Sequence, residues 1–203
     1  MPIIESGKVG GAVKLVAVVG KGRFDTARNI SIGLKEAGVP TLSLSNSEYL
    51  LNMRPRPNVG SAIDGFGEAH GEEQIILTSA DRIPRMIGID KCIIVLCGEY
   101  EPFISEVPFD KNRRVYVIVN SGARVAAPML GGCTVITCGM GAKDSVTLSS
   151  VRFRSAVACI QRQIYTFGGR VIEPCEYPVP YAVHGDVFGP LALFCVMLLC
   201  DYI

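Results

Sequence analysis

The sequence predicts an α/β fold, a mostly parallel sheet flanked by helices in a three-layer arrangement of the P-loop or Rossmann-like kind. Short apolar runs rich in Val and Ile recur along the 203 residues, and such runs are typical of strands buried on both faces of a parallel sheet. Gly, Pro and polar segments separate the runs, and one of these segments has helical periodicity. Hydrophobic residues make up 49% of the chain and charged residues 19%, which is enough to build one core. We therefore predict a single domain over residues 1–203.

The apolar runs place the strands. A helix is predicted between the first two runs, at residues 26–37, because Ile30, Leu34 and Ala37 share one face. Gly38 follows as its terminator, and Asp25 and Thr26 are both suitable N-caps. Six strands are predicted, at residues 14–19, 41–44, 74–78, 92–97, 114–120 and 134–137.

Two further helices have weaker signals. One begins near Ser79 and is shortened or bent by Pro84, and another covers residues 121–130. The segment 51–73 has little periodicity and several Pro and Gly residues, which predicts a long loop.

The last third of the chain has a different pattern. Residues 145–179 contain strand-like runs with a Phe-Gly-Gly-Arg turn at 167–170, which predicts an antiparallel excursion at the edge of the sheet. The apolar segment 187–199 follows and predicts a buried helix that closes the domain.

Charge and hydropathy exclude several classes of partner. Twenty Lys and Arg balance nineteen Asp and Glu, so no field attracts nucleic acid or an anionic membrane. The longest apolar run, residues 187–200, is shorter than the roughly 20 residues of a membrane span. Residues 1–14 lack the apolar core of a signal peptide. We expect a cytoplasmic protein without nucleic-acid or membrane partners.

Eight cysteines raise the question of a metal or redox site. Several of them are five residues apart. In a strand, two residues five positions apart have side chains on opposite faces, and in a helix their side chains are separated by about 140° around the axis. We therefore interpret the cysteines as reduced core residues and leave redox or metal chemistry as the alternative. Three pairs have this offset: Cys92 and Cys97, Cys133 and Cys138, Cys195 and Cys200.

The sequence VVGKGRFDT, residues 18–26, links the first strand to the first helix. In open α/β sheets this position binds ligands, because the helix start offers unpaired N–H groups and the positive end of its dipole. Two glycines permit a ligand to approach the backbone closely, two cations add positive charge and a threonine adds a hydroxyl. The candidate residues for binding phosphate or a nucleotide are Gly20, Lys21, Gly22, Arg23 and Thr26.

Other features of this turn oppose nucleotide binding. It lacks the Gly-Lys-Ser/Thr end of a P-loop and the third glycine of the Rossmann pattern. Asp25 at the helix start would occupy the N–H donors and repel a phosphate. The alternatives are an anion site and a tight turn with a self-capped helix.

The order of segments resembles the central, ATP-binding domain of the Mur ligases. LVAVVGKGRFDTARNISIGLKEAG (15–38) takes the place of that family's Gly-Thr-x-Gly-Lys-Thr-Thr loop and following helix. IILTSA (75–80) corresponds to a strand ending in Glu-Val-Ser-Ser, and CIIVLCGEYE (92–101) to a strand ending in Asn-Ile-x-x-Asp-His.

The later segments continue the resemblance. VYVIVN (115–120) is similar to the strand before an Asn-Ala-Asp-Asp turn, and Arg124 begins the segment after it. VITCGM (135–140) is similar to a Val-x-Thr-Phe-Gly strand, KDSVT (143–147) to an Ala-Asp-Val run, and HGDVFGPLA (184–192) to Gly-x-His-Asn-Val-x-Asn-x-Leu-Ala. The resemblance implies a stand-alone domain of this fold.

The departures from the family affect its chemistry. The phosphate lysine and threonine pair have no clear counterpart, and the magnesium-binding Glu falls on Leu77. The Asp-His falls near Tyr100 and Glu101, and the helix that carries a carbamylated lysine has no room before Arg113. The His-Asn pair becomes Gly185 and Asp186. The resemblance therefore implies a degenerate domain without ligase activity, since such ligases act through positioned phosphates and metal.

Other polar residues are weaker candidates. Ser79, Asp81, Arg82, Glu99, Lys143 and Asp144 follow or end strands, where carboxyl edges of the sheet would gather them. We interpret the carboxylates, with Asp64 and Glu101, as solvated loop charges, and a paired-carboxylate site is the alternative. Arginines 54, 56, 82 and 85 would clamp an acidic ligand or form a basic surface loop. His70 and His184 are interpreted as structural or exposed.

Two functions compete. The first is a non-catalytic domain that binds an anionic small molecule or a protein partner, with the closing helix supporting self-association. The second is an enzyme, either an ATP-dependent ligase component completed by another chain or a catalyst of another class using the same cleft. No cofactor is certain, and a phosphate or nucleotide is the expected ligand.

Overall fold

A nine-stranded sheet forms the centre of the described chain in the computed structural model. The structure describes residues 3–5, 13–44, 74–80, 85–87, 91–99, 114–123, 132–152, 155–179 and 186–203. All six predicted strands are present, with ends that differ by at most a few residues. The large sheet contains β2 (Val13–Val19), β3 (Thr41–Leu44), β4 (Gln74–Ala80), β6 (Lys91–Leu96), β7 (Arg114–Asn120), β8 (Thr134–Cys138), β9 (Val146–Arg152), β10 (Ser155–Ile160) and β13 (Cys175–Val179).

The strand order places β2 at the point where the chain changes direction across the sheet. The order is β13-β10-β9-β8-β7-β6-β2-β4-β3, and all neighbours from β9 to β3 are parallel. From β2 the chain crosses to β3 and returns through β4, and β6 then continues on the opposite side of β2. The carboxyl end of β2 is therefore the topological switch point, where open α/β sheets bind their ligands.

The antiparallel excursion is confirmed. β9, β10 and β13 pair antiparallel at one end of the sheet. A separate hairpin of β11 (Ile164–Tyr165) and β12 (Val171–Ile172) encloses the predicted turn, where Gly169 has a φ of +85°. A second small sheet pairs β1 (Ile3–Glu5) with β5 (Arg85–Ile87) in parallel.

The first helix, α1 (Arg23–Glu36), begins three residues earlier than predicted. Gly22 is its N-cap, without a side-chain hydrogen bond, so the predicted caps are wrong. Its end is as predicted: Gly38 has a φ of +70° and donates to the carbonyl of Lys35, and Val39 donates to the carbonyl of Leu34. These two bonds form a Schellman motif, which requires a residue that tolerates positive φ.

The closing helix, α2 (Phe188–Leu199), is confirmed as a buried element. All twelve of its residues are buried. It packs beside α1 on one face of the sheet, where the α1 residues Ile30 and Leu34 join the same core, as predicted, whereas Ala37 is exposed. The other face of the central strands is equally buried, as at Leu15, Ala17 and Ile94. No helix in the described ranges is long and apolar enough to cross a membrane.

The two weaker helix predictions fare differently. Ser79 lies within β4, so no helix begins there; the apolar run before it continues the strand to Ala80. Residues 121–123 form a turn after β7, and residues 124–130 lie outside the described residues. The long loop predicted at 51–73 also lies outside them.

Lys14 is a buried cation that the sequence pattern did not single out. It is 1% exposed, and its Nζ donates to the carbonyl of Cys200 at 2.9 Å, just after the last turn of α2. The same Nζ lies 5.2 Å from the ring centre of Tyr202. A cation at this end complements the helix dipole and ties α2 to the start of β2.

Candidate functional site

The turn after β2 has a backbone that only glycine adopts easily. Gly20 has a φ of +93° and Gly22 a φ of +88°, on either side of the exposed Lys21. A Cβ on Gly22 would meet no atom within 4 Å, so space is open beside it. The requirement for glycine here is conformational, since φ values of this kind strain other residues.

The start of α1 lies directly after this turn and lacks a side-chain cap. The amide of Arg23 donates to the carbonyl of Gly20 at 3.3 Å, and the amide of Thr26 to that of Gly22 at 3.2 Å. The amides of Phe24 and Asp25 come before the first intrahelical acceptors. The Asp25 side chain is exposed and forms no cap bond, so the self-capped helix of the alternative interpretation is wrong.

Thr26 does not face the turn as a phosphate ligand would. It is 3% exposed and lies beside the Cys97 thiol at the end of β6. Burial raises the pKa of Cys97 to about 11, with the nearby Asp186 adding to the effect, while Thr26 and Arg23 oppose it. The candidate Thr26 therefore holds α1 against β6 and is unavailable to a ligand.

Backbone fills the crevice between β2 and β6. The N–H of Cys97 donates to the carbonyl of Val19 at 3.0 Å, and the Nδ2 of Asn120 donates to the carbonyl of Cys97 at 2.9 Å. A Cβ on Gly98 would come within 2.7 Å of the carbonyl oxygen of Lys21. The β2 turn is thereby fixed against the β6 loop, and open space remains on the β4 side. Asn120 was not among the candidate residues, although its position at a strand end was a signal.

A second group of candidates lies after β8, at the turn into β9. Asp144 is only 4% exposed, and its Oδ2 accepts from the amide of Gly141 at 2.8 Å, so it is no solvated loop charge. A Cβ on Gly139 would lie 2.0 Å from the Ser121 Oγ and 2.7 Å from the Asp144 Oδ2. Lys143 is exposed. These contacts make Asp144 a structural residue of the turn.

The structure does not bring all candidates together. β8 is three strands from β2, a separation of about 14 Å at ordinary strand spacing, so Lys143 and Asp144 form a separate group. Ser79, 4% exposed, is the last residue but one of β4, next to β2, and Glu99 is exposed beside the turn. Several candidates lie outside the described residues: Arg54, Arg56, Asp64, His70, Asp81, Arg82, Glu101 and His184.

The described residues form no cluster of metal ligands. Within the described ranges, no three His, Cys, Asp or Glu side chains are placed to hold one ion. The eight cysteines form no disulfide. Leu77, where the sequence resemblance places a magnesium ligand, is an apolar residue 1% exposed. Asp186 accepts from the amide of Phe188 at 3.0 Å through Oδ1, at the start of α2.

Comparisons with known proteins gave matches among solved structures. No family model matches the sequence, and no curated protein matches it. MurF from Acinetobacter baumannii has 14% identity and a TM-score of 0.44, over 92% of this chain and 43% of that protein. A murein peptide ligase from Psychrobacter arcticus has 9% identity and a TM-score of 0.49, over 95% and 44%. MurF ligase from Thermotoga maritima, in complex with ADP, has 14% identity and a TM-score of 0.46, over 98% and 46%. The chain spans less than half the length of each.

Proposed function

We propose that this chain is a non-catalytic α/β domain that binds a small anion, a phosphate or the phosphate of a nucleotide, at the first turn of α1. The supporting observation is that α1 starts without a side-chain cap, directly after a turn with two positive-φ glycines. Phe24 and Asp25 contribute backbone N–H groups, and the helix dipole adds positive potential.

The charges around this turn support an anion of modest affinity. Lys21 is exposed between the glycines, and Arg23 is half-buried with its guanidinium carbon 4.4 Å from the Phe24 ring centre. Asp25 and Glu99 are exposed acids in the same neighbourhood. The positive end of the helix dipole adds to the attraction for an anion. The two acids are solvated, so solvent and salt screen their repulsion of that anion.

We propose a domain without catalytic activity because two side chains that would serve phosphoryl transfer, a metal ligand and an exposed hydroxyl, are not offered beside the turn. Leu77 cannot coordinate magnesium, and Thr26 is buried beside the Cys97 thiol. Phosphoryl transfer depends on side chains that hold a metal beside the phosphate, so a turn with an apolar residue at the metal-ligand position would bind an anion without catalysing.

Calorimetric titration tests the proposal with inorganic phosphate and with ADP. Lys21→Ala should weaken phosphate binding about threefold to fivefold, the range expected for one exposed charge at a helix start. Lys35→Ala is the matched control, because Lys35 is an exposed lysine in the last turn of the same helix. It should leave the affinity unchanged. Equal effects of the two variants would mean that only net charge matters and that no site exists at the turn.

The same titration with ATP, with and without magnesium, separates this proposal from an enzyme. We expect no magnesium-dependent gain in affinity. Micromolar binding that requires magnesium, or hydrolysis of ATP by the purified chain, would overturn the non-catalytic assignment.

A further inference from the structure

A pocket of about 280 Å³ opens along the side of α1, between the helix and the strands β3 and β4. Ala27, Ile32 and Leu77 contribute apolar surface. Ser43 and Leu77 are register partners on neighbouring strands, so their side chains lie on the same face of the sheet. The full lining is Phe24, Ala27, Arg28, Ser31, Ile32, Ser43, Leu77 and Ser79.

The pocket is continuous with the first turn of α1 through Phe24. The amide of Phe24 is one of the two N–H groups offered to an anion, and its side chain, 57% exposed, lines the pocket. The guanidinium of Arg23 lies over the same ring. A ligand whose anionic group contacts the turn would therefore extend past Phe24 into the pocket.

Ser79 provides an independent indication of a ligand. It lies two residues after Leu77 on β4 and therefore on the same face of the sheet, where both residues line the pocket. The residue is 4% exposed, and it lines the pocket without a hydrogen bond from its hydroxyl to the part of the chain that the structure describes. A polar group on a bound molecule would therefore find a hydrogen-bonding partner in this hydroxyl.

Exposed apolar side chains on α1 also favour a ligand in this pocket. Phe24 and Ile32, eight residues apart and so about two turns apart on one side of the helix, are 57% and 45% exposed. Both line the pocket, whereas the opposite side of α1 packs on the core. Their exposure is explained if an apolar group covers them.

We propose that this pocket receives the organic part of the anion, and that the ligand is a phosphomonoester with a compact, mainly apolar body. The inference rests on the proposed function, since the first turn of α1 supplies the phosphate site. Arg28, which is exposed and lines the pocket about one helical turn after Phe24, adds a further cation. The serine hydroxyls accommodate one or two polar substituents on an otherwise apolar body.

Phenyl phosphate and glycerol 1-phosphate are suitable probes, compared with inorganic phosphate by calorimetry on the full chain. Phenyl phosphate should bind about tenfold more tightly than inorganic phosphate, because its ring removes apolar surface from water. Glycerol 1-phosphate should gain less than about threefold, because its body is polar.

Ser43→Phe fills the pocket from the exposed end of β3 and should abolish the gain from the phenyl group while inorganic phosphate binding stays unchanged. Ser149→Phe is the matched control at an exposed position of β9, and it should keep the gain. Ile32→Ser is a second variant on the helix side, which should reduce the gain if Ser43→Phe does not fold.

The outcomes separate the two proposals. Equal affinities for phenyl phosphate and inorganic phosphate, or a gain that survives both Ser43→Phe and Ile32→Ser, would overturn the pocket assignment and leave the anion site standing. If none of the three probes binds, the anion site itself is wrong, and the pocket assignment that rests on it also fails.

Discussion

Neighbouring residues of the β2 turn acquire different roles through burial. Lys21 and Thr26 are five positions apart and looked equally suited to phosphate in the sequence. Lys21 is exposed, whereas Thr26 is 3% exposed and lies beside Cys97. The difference follows from position, because Lys21 lies in the turn before α1 and Thr26 lies on the side of the helix that faces β6. Residue type alone did not contain this information.

Asp25 tests the same turn through a negative charge, whose removal should strengthen the binding of an anion. It is exposed in the first turn of α1 and makes no cap bond. Asp25→Asn removes a negative charge near the proposed anion without disturbing a buried contact. We expect phosphate affinity in a calorimetric titration to rise about twofold to fivefold at low salt, as for a single charge at a helix start. An unchanged or lower affinity would place the anion elsewhere.

The cysteines should differ sharply in reactivity. Burial raises the pKa of Cys97 to about 11, and the hydrogen bond to Cys195 together with burial raises the pKa of Cys138. A thiol is mostly neutral at any pH below its pKa. At pH 8 a thiol with a pKa of about 11 therefore has about 100-fold less thiolate than one with the ordinary pKa of 9.0. An aromatic disulfide reagent should react quickly with exposed Cys175 and slowly with Cys97.

The denatured chain gives the matching thiol count. In denaturant without reductant, we expect all eight thiols to react. A count of six would indicate a disulfide, and Cys138 with Cys195 would be the first pair to examine, because their sulfurs are 3.5 Å apart.

At the scale of elements, the two ends of α1 show why one boundary was predictable and the other was not. Gly38 is the only glycine near the end of the apolar pattern, and a C-terminal glycine has one conformational role. At the start, Gly22, Asp25 and Thr26 are all acceptable N-caps by type. In the structure the N-cap is Gly22. The helix begins there because Lys21, directly before it, is held in the turn against Gly98.

The contact between α1 and α2 depends on a small residue. A Cβ on Gly33 would lie 2.0 Å from the Cδ2 of Leu193, which is 3% exposed and has little room to move. Gly33→Ala should lower the free energy of unfolding by about 1–2 kcal/mol, since overpacking outweighs the helix-propensity gain of about 1 kcal/mol. Urea unfolding measures the change.

A double variant isolates the cause. In a Leu193→Ala background the clashing atoms are gone, so Gly33→Ala should become neutral or stabilising. The same loss of stability in both backgrounds would mean that the helices do not approach at Gly33.

The strands were predicted well because their signal is local. A parallel strand buried on both faces is a continuous apolar run, as in the stretch that forms β6. The helix expected near Ser79 failed because a serine after such a run resembles an N-cap, whereas the strand pairing with β2 extends to Ala80. The switch-point rule is also the basis on which the sequence proposes an anion site after β2, and that site stays a prediction. The pocket could not be predicted, because it depends on how α1 lies over the register of Ser43 and Leu77.

At the scale of the whole molecule, α2 belongs to the core of this chain. The sequence suggested that it supports self-association, but all twelve residues are buried within the chain itself. It therefore has no exposed face to offer a second copy, and any oligomer would use another surface. Self-association stays a prediction that sedimentation can test.

Removal of α2 should therefore prevent folding of the described sheet. Burying a Leu or Phe side chain stabilises a protein by roughly 1.5–3 kcal/mol, and total stability is roughly 5–15 kcal/mol. The helix buries Phe188, Phe194 and four leucines, among other residues, so its loss removes a stabilisation of the same size as the total. Deletion of residues 186–203 should give insoluble protein or a chain without a cooperative unfolding transition.

A single substitution separates the loss of packing from the loss of a segment. Phe194 is 2% exposed, and its ring centre lies 5.9 Å from that of Tyr177 on β13. Phe194→Ala should lower the free energy of unfolding by about 3–5 kcal/mol, the usual cost of emptying a buried phenylalanine site. Glu176→Ala, at an exposed position beside Tyr177 on the same strand, should change it by less than about 0.5 kcal/mol. If Phe194→Ala were as mild as Glu176→Ala, or if the deleted chain stayed folded and soluble, α2 would not be the element that encloses the core.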